Sequence, residues 1–234
     1  MSKENIVVHA WGKSPSLIQL MREILDVILI LPLFIITPLL RPWHRRWGST
    51  DEEAAASMPG DNLISGCQYI VTRSVSINAP PSKVWPWLLQ IGFGKAGYYS
   101  NDLLDNFGHP STDRIIPEFQ NLKVGDWIPM YSKVNDTTAF KVAEIDPFKS
   151  LLWKKPDSTW SWVLTPAEFG TRLTTRIRIL YRWNFPAEAL FSLFLNEFGD
   201  FPMMRKMLKT LKHNVEQTFG QPAALSNTVR RKIE

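Results

Sequence analysis

Two periods of apolar residues run along this chain, and they divide it. From Leu17 to Leu31, Leu17, Leu20, Met21, Ile24, Ile28 and Leu31 recur at helical spacing, while Gln19, Arg22, Glu23 and Asp26 fall mostly on the other side. This is the pattern of an amphipathic helix. From Val27 to Leu40 the run is apolar all round apart from Thr37 and two prolines. That stretch, as helix, rises roughly 21 Å, short of the roughly 30 Å hydrocarbon core of a bilayer. Counting from Leu17 supplies the length but brings charges into the span.

Beyond Cys67 the period shortens to two. "CQYIVTRSVSIN" places Tyr69, Val71, Val75 and Ile77 on one face of a half-buried strand, stopped by Pro80 and Pro81. Ser82 to Ile91 returns to helical spacing through Val84, Trp85, Leu88 and Ile91, with Pro86 near its start. "YYSNDLLDNFG" predicts a second helical piece closed by Gly108. Strands follow in "KVGDWIPMY", "TTAFKVAEID", "SLLWKKP" and "TWSWVLTP", the last with Trp160, Trp162 and Leu164 on one face. "TRLTTRIRILYRW" alternates most clearly. Leu173, Thr175, Ile177, Ile179, Tyr181 and Trp183 face one way; Arg172, Thr174, Arg176, Arg178 and Arg182 face the other. A long antiparallel strand with a cationic outer face, turned to water or anionic lipid, is expected. "AEALFSLFLNEF" predicts a helix ending at a break over Gly199 to Pro202. A long last helix then carries Met204, Met207, Leu208, Leu211 and Val215 on one stripe, and no internal repeat is found.

This order has one compact solution. The fold class is α+β: a curved antiparallel sheet wraps a long C-terminal helix, and the short helices plug one end. Such a grip leaves room between sheet and helix, so Trp85, Trp87 and Leu88 are expected as the end wall of an apolar cavity. The domain division is 1–47 as an anchor segment, 48–66 as a linker across the domain surface, 67–220 as a helix-grip ligand-binding domain, and 221–234 as a flexible tail. In the linker, Ser49 or Thr50 with Glu52 or Glu53 predicts a capped short helix.

The residues after Leu40 sharpen the reading of the first segment. Arg41, Arg45 and Arg46 interleave with Trp43, Trp47 and His44, a composition that suits a headgroup layer. No small-residue cleavage site comes after the apolar run, which argues against a signal peptide. A buried soluble helix competes with a membrane anchor, either a short tilted span or a Pro-kinked re-entrant segment. As a span, it would place the main domain in the cytoplasm by its flanking arginines. The opposing bias is modest, since Lys3, Lys13 and Arg22 are offset by Glu4, Glu23 and Asp26. The net charge of +5 over 234 residues fits an anionic membrane surface or nucleic acid without choosing between them. Ten tryptophans suit cores, cavity walls and membrane interfaces alike. Cys67 is the single cysteine, which removes intramolecular disulfides and multi-cysteine metal sites.

Several stretches together resemble the START/polyketide-cyclase-like helix-grip superfamily (SRPBCC), in a membrane-associated bacterial branch. They are "RPWHRRWGSTDEEAAASMPGD", "INAPPSKVWPWLLQIGFGKAGYYSNDLLDN", "DRIIPEFQNLKVGDWIPM" and "MMRKMLKTLKHNVE", spanning roughly Arg41 to Glu216. The resemblance implies a helix-grip fold with a hydrophobic cavity. It implies little about activity, because members range from lipid carriers to cyclases. Where similar chains tend to read tryptophan-tyrosine-serine and another aromatic, this one has "YYSN".

Candidate chemistry is sparse. Asp102 and Asp105 stand at i, i+3 and His109 precedes Pro110; these are the acid/base candidates, against the plainer readings of a solvated helix face and a loop histidine. Tyr98, Tyr99 and Arg114 are expected to orient a polar ligand group, while Trp85, Leu88, Trp160 and Trp162 supply apolar wall. Asp113, Arg114 and Glu118 are expected to form a structural ion pair. The membrane-interface set is Arg41, Trp43, Arg45, Arg46 and Trp47. No metal-ligand spacing, phosphate loop or nucleophile elbow is present, so no metal and no cofactor are expected. The arginine strand lacks a recognition helix or RNP-like wording, so no nucleic-acid partner is expected. The expected partners are a hydrophobic small molecule or lipid, and a membrane. Three functions stand: a membrane-tethered binding module, a cyclase- or dehydratase-type enzyme using a cavity carboxylate or histidine, and an accessory subunit of a membrane complex with a filled cavity.

Overall fold

The computed structural model describes residues 15–220. The tail expected at 221–234, and Lys3, Glu4 and Lys13, lie outside the described residues. Helix α1 spans Leu17–Ile36. The Ser16 hydroxyl accepts from the Gln19 N–H and the Gln19 side chain accepts from the Ser16 N–H, which satisfies two donors that a helix start leaves orphaned. A 3-10 turn, Thr37–Leu40, and α2, Arg41–His44, continue the same helical run. By length and composition Leu17–His44 suffices to cross a membrane, and almost none of it is buried. Helix α3, Asp51–Ala55, starts from a capping box of Thr50 and Glu53, as the sequence predicts. Its three acidic residues in the first turn favour the helix dipole.

Strand β1, Tyr69–Ile77, leads to α4, Pro81–Leu89, and α5, Asp102–Asp105. The helical piece expected over "YYSNDLLDNFG" is therefore a single turn. Tyr99 has φ of 55°, a left-handed conformation that no helix continues through. Strands β2, Trp127–Pro129, β3, Ala139–Asp146, β4, Ser150–Lys155, β5, Ser158–Ala167, and β6, Gly170–Ile179, complete the sheet. All pairings are antiparallel, in the order β1-β6-β5-β4-β3-β2. A register shift between Val142 and Glu144 in β3 marks a bulge, which adds to the twist that curls a sheet. Trp160 lies opposite Trp153 on one side and Ile177 on the other.

Helix α6, Pro186–Phe194, runs through a π-turn at Leu195–Gly199 into the long α7, Asp200–Gly220. The break expected at Gly199 to Pro202 does not occur. The wider turn absorbs the irregularity. Pro202 follows it directly, and the wider turn lets the helical run pass a residue that has no N–H to donate to the preceding turn. The sheet grips α7 through Met204, Met207, Leu208, Leu211 and Val215, all buried. This is the α+β helix-grip architecture, with an apolar helix added at its N-terminal side.

The cationic face of β6 turns neither to water nor to lipid. Residues 48–66 lie over it. Arg176 is 4% exposed and donates to Asp61 at 2.6 Å and to the carbonyls of Ala54 and Ala56 at 2.9 and 2.8 Å. Arg172 pairs with Glu53 at 2.6 Å and Arg178 reaches Asp61 at 3.6 Å. A buried cation needs such partners; here the acidic, turn-rich stretch supplies them and becomes part of the folded body.

Candidate ligand cavity

Between α7, the sheet and the π-turn lies a cavity of about 250 Å³. Its wall is built from aromatic and methionine side chains, and the reason is visible in their hydrogen bonds. Tyr98 donates its hydroxyl to the Pro129 carbonyl at 2.8 Å. Trp160 donates Nε1–H to Thr175 Oγ1 at 2.9 Å, and that hydroxyl donates onward to the Ser161 carbonyl at 2.9 Å. The polar tips are tied to the scaffold, so the ring faces are what the cavity meets. The two rings lie 9° from parallel with centroids 6.4 Å apart. Trp160 is braced in turn by Trp153 at 5.2 Å, Trp162 at 5.1 Å and Phe140 at 5.9 Å. Met203, Met204 and Met207 close the side formed by α7. Methionine is unbranched and adapts to irregular apolar shapes.

Four ionisable groups interrupt this apolar wall: Asp105, Lys155, Asp157 and Asp200. Asp200 is already paired, accepting from Arg73 at 2.6 Å and from the Tyr69 hydroxyl at 2.8 Å. Lys155 lies over the Phe140 ring at 5.1 Å and donates to the Thr137 carbonyl at 3.2 Å; burial holds its pKa below the usual lysine value. Asp105 is different. Burial pushes its carboxyl up to about 7, and the Ser100 hydroxyl beside it only partly opposes this. A carboxyl poised near neutrality can donate or accept a proton, or hydrogen-bond a polar ligand group, at ordinary pH.

The sequence-named residues divide between this cavity and the rest of the core. Tyr98, Trp160 and Asp105 line it. Trp85, Leu88, Tyr99, Arg114 and Trp162 do not. Trp85 meets Phe148 at 6.0 Å, and Leu88 is fully buried. Trp162 stacks behind Trp160 at 5.1 Å, one layer deeper. The Tyr99 hydroxyl accepts from Gln90 Nε2 at 2.7 Å and donates to the Trp87 carbonyl at 3.3 Å. Helix α4 thus plugs its end of the sheet with packed rings rather than walling a void. Arg114 is exposed, and among the described residues it forms no ion pair with Asp113 or Glu118; its carbonyl instead accepts from Gln90 at 3.0 Å. Asp102 is a structural acceptor, bonded by Ser111 at 2.6 Å and Asn106 at 3.0 Å. His109 lies outside the cavity wall, its backbone N–H bonded to Asn106.

The residues read as membrane-interface also take internal partners. Glu197, 4% exposed, accepts from Arg41 at 2.7 Å and Arg45 at 3.0 Å. Trp43 and Trp47 pack on Phe201 at 5.1 and 6.3 Å. Arg46 pairs with Asp51. Behind them His44 is fully buried and Arg73 is 1% exposed. Arg73 donates to the His44 carbonyl at 2.9 Å. Burial and the Arg73 charge lower the His44 pKa to about 4. Neither Arg73 nor Glu197 stands out in the sequence. An arginine on the inward face of β1, between Val71 and Val75, was the available signal, because a charge on an apolar face requires a buried partner.

No family profile matches this chain, and no curated protein matches it. Solved structures do. A polyketide-cyclase-like protein of Corynebacterium glutamicum is 14% identical, covering 66% of this chain and 96% of its own, with a TM-score of 0.42. A protein of Mesorhizobium loti is 19% identical, covering 64% and 98%, with a TM-score of 0.37. A protein of Nitrosomonas europaea is 16% identical, covering 64% and 96%, with a TM-score of 0.40. At these identities and scores neither a ligand nor an activity transfers to this chain.

Proposed function

We propose that this chain is a membrane-tethered binding module that holds a small hydrophobic ligand against Tyr98, Trp160 and the α7 methionines. The observation that carries this reading is the void itself: about 250 Å³, walled by rings whose polar tips are bonded elsewhere. Small-molecule pockets usually run to roughly 300–1,000 Å³, so a compact ligand or a single short acyl chain suits this space better than a two-chain lipid. A ligand burying about 200 Å² of apolar surface gains on the order of 5 kcal/mol before the costs of association. The tether is the exposed apolar helix α1, and the main domain faces the cytoplasm beside it. A void of this size weighs against an accessory subunit with a filled cavity.

A cyclase- or dehydratase-type enzyme is the second reading, and Asp105 favours it. Its carboxyl faces the cavity with a pKa raised to about 7, which suits a general acid or base.

The test is photo-crosslinking of the membrane-bound full chain with a short alkyl diazirine, mapped by peptide mass spectrometry. Adducts are expected on Met203, Met204 or Met207. Met207→Trp, which fills the void, should remove them, whereas Trp85→Ala should leave them in place. Equal labelling of wild type and Met207→Trp on α7 refutes the binding reading. For the enzyme reading, Asp105→Asn should abolish turnover of a candidate substrate while the cross-links persist.

A further inference from the structure

An apolar helix of this length invites the reading that it crosses the bilayer. The way α1 sits on the domain argues otherwise. Leu20, Glu23, Val27, Ile30, Phe34 and Thr37 form its inward stripe, all at least partly buried. Glu23 accepts from the Asp102 backbone N–H at 2.9 Å, and Asp26 pairs with Lys206 at 2.7 Å. Further along, the Phe34 ring edge lies where a side chain on Gly199 would touch it, at 3.5 Å. Thr37 is fully buried. The helix is therefore fastened lengthwise, from Leu20 to Thr37, over roughly 25 Å. That is nearly the thickness of the roughly 30 Å hydrocarbon core. An upright α1 would carry α5 and α7 into the hydrocarbon with it, Lys206 and Asp102 included.

The outward stripe is apolar and exposed, through Leu17, Met21, Leu25, Ile28, Leu31 and Ile35. It has a neighbour. Helix α6 and the π-turn present Ser192, Leu195 and Asn196 to the cavity and leave Leu190, Phe191 and Phe194 exposed. Helix α1 reaches the π-turn that follows α6 through Phe34, which lies against Gly199. At the start of α6, Trp183 and Phe185 are about half exposed, and Arg182 lies over the Phe185 ring at 4.6 Å. An aromatic pair with an arginine is what a membrane–water boundary favours.

We propose that α1 does not span the membrane but lies in the plane of one leaflet, and that α6 docks into the same leaflet beside it. Their exposed apolar residues sink roughly 5–10 Å to the boundary of headgroups and acyl chains. Helix α6 is then the layer between the cavity and the acyl chains, so a ligand taken from the leaflet passes beneath it. This inference rests on the membrane tether proposed above and specifies its geometry.

The experiment uses the full chain with Cys67→Ser and single cysteines. In right-side-out and inverted membrane vesicles, Ser14→Cys and Ser57→Cys, which flank α1 in the sequence, are reacted with a membrane-impermeant maleimide. Both are expected to react in the same vesicle type; reaction in opposite types means that α1 spans and overturns the proposal. Phe191→Cys, carrying an environment-sensitive dye, is then placed in phosphatidylcholine–phosphatidylglycerol vesicles whose acyl chains bear nitroxides. Its fluorescence is expected to fall to about half or less, as for a helix at acyl-chain depth. A dye at Phe169→Cys, an exposed aromatic in the β5–β6 turn, should keep its signal. An unquenched Phe191 dye overturns the role of α6, whether water or a second copy of the chain covers that face; sedimentation tells those apart. Flotation of the unlabelled chain with vesicles tests the tether separately: a chain that stays in the soluble fraction refutes the tether itself, whereas a floating chain with spanning labels refutes only the in-plane geometry.

Discussion

Two buried groups in this protein bias its stability in opposite directions with pH, and single substitutions should expose both. His44 is fully buried with neither ring nitrogen hydrogen-bonded among the described residues, and Arg73 stands beside it. Its pKa falls from 6.5 to about 4. A lowered folded-state pKa means stability that is present above the unfolded value and lost as pH falls toward 4. At about 1.4 kcal/mol per unit, the full effect is about 3 kcal/mol. Asp105 has the opposite sign. Its pKa rises from 3.8 to about 7, so its contribution is complete below the unfolded value and is lost as pH rises through 7. Asp105 keeps part of its surface on the cavity, which screens the charge and reduces its effect to roughly half of the naive figure. Between pH 6.5 and 5 the folded protein therefore loses about 2 kcal/mol through His44 and regains about 1 kcal/mol through Asp105. The window stays clear of Glu53, which Arg172 holds at about 2 and whose contribution is lost only in stronger acid. Urea unfolding of the full chain in detergent, followed by circular dichroism at both pH values, gives the slopes. Asp105→Asn should steepen the loss on acidification by about 1 kcal/mol, and His44→Phe should reverse it into a gain. Any packing cost of the new side chains shifts both pH values equally and leaves the difference intact. Parallel slopes for wild type and His44→Phe would refute a neutral buried histidine; parallel slopes for wild type and Asp105→Asn would refute a protonated cavity carboxyl.

Arg176→Met should cost about 3–5 kcal/mol, because Asp61 and the carbonyls of Ala54 and Ala56 lose a buried donor; proteolysis should then cut within residues 48–66 before the sheet unfolds, and unchanged resistance there would contradict the caging. Gly170→Ala places a side chain against the Ile77 carbonyl at a φ of 142°, so a loss of at least about 3 kcal/mol, or about 10 °C in Tm, is expected in a thermal melt. Gly66→Ala meets nothing within 4 Å and should lose only the modest cost of its left-handed backbone, which makes it the control for that melt.

The strands and long helices were legible because backbone geometry turns burial into a period. Leu173, Thr175 and Ile177 share a face of β6, and Met204, Met207 and Leu211 share a stripe of α7, whatever else the chain does. Capping is equally local: Thr50 and Glu53 lie three residues apart, and the box they form could be read from spelling alone. The grip of sheet on helix is a consequence, since an apolar sheet face and an apolar helix stripe have few ways to hide from water. The space between them is not. Trp85 and Trp160 are both aromatic, both on apolar faces and both buried, yet one packs into a plug and the other faces a void. That difference depends on whether opposing side chains meet or fall short, which no period records.

The charges mislead for a related reason. Alternating arginines on a strand look the same whether they face water or a partner, and the partner of Arg176 is more than a hundred residues away in the chain. Arg41 and Arg45 look like a headgroup flank, yet Glu197, more than 150 residues further on, holds them both. Amphipathy and length mark α1 as a helix with an apolar face that must be covered. Only the docking of Glu23 and Asp26 onto Asp102 and Lys206 sets the direction in which that face points. Such contacts form between elements that approach each other only after the chain has folded, so their information resides in the assembled geometry and not in the local order of residues.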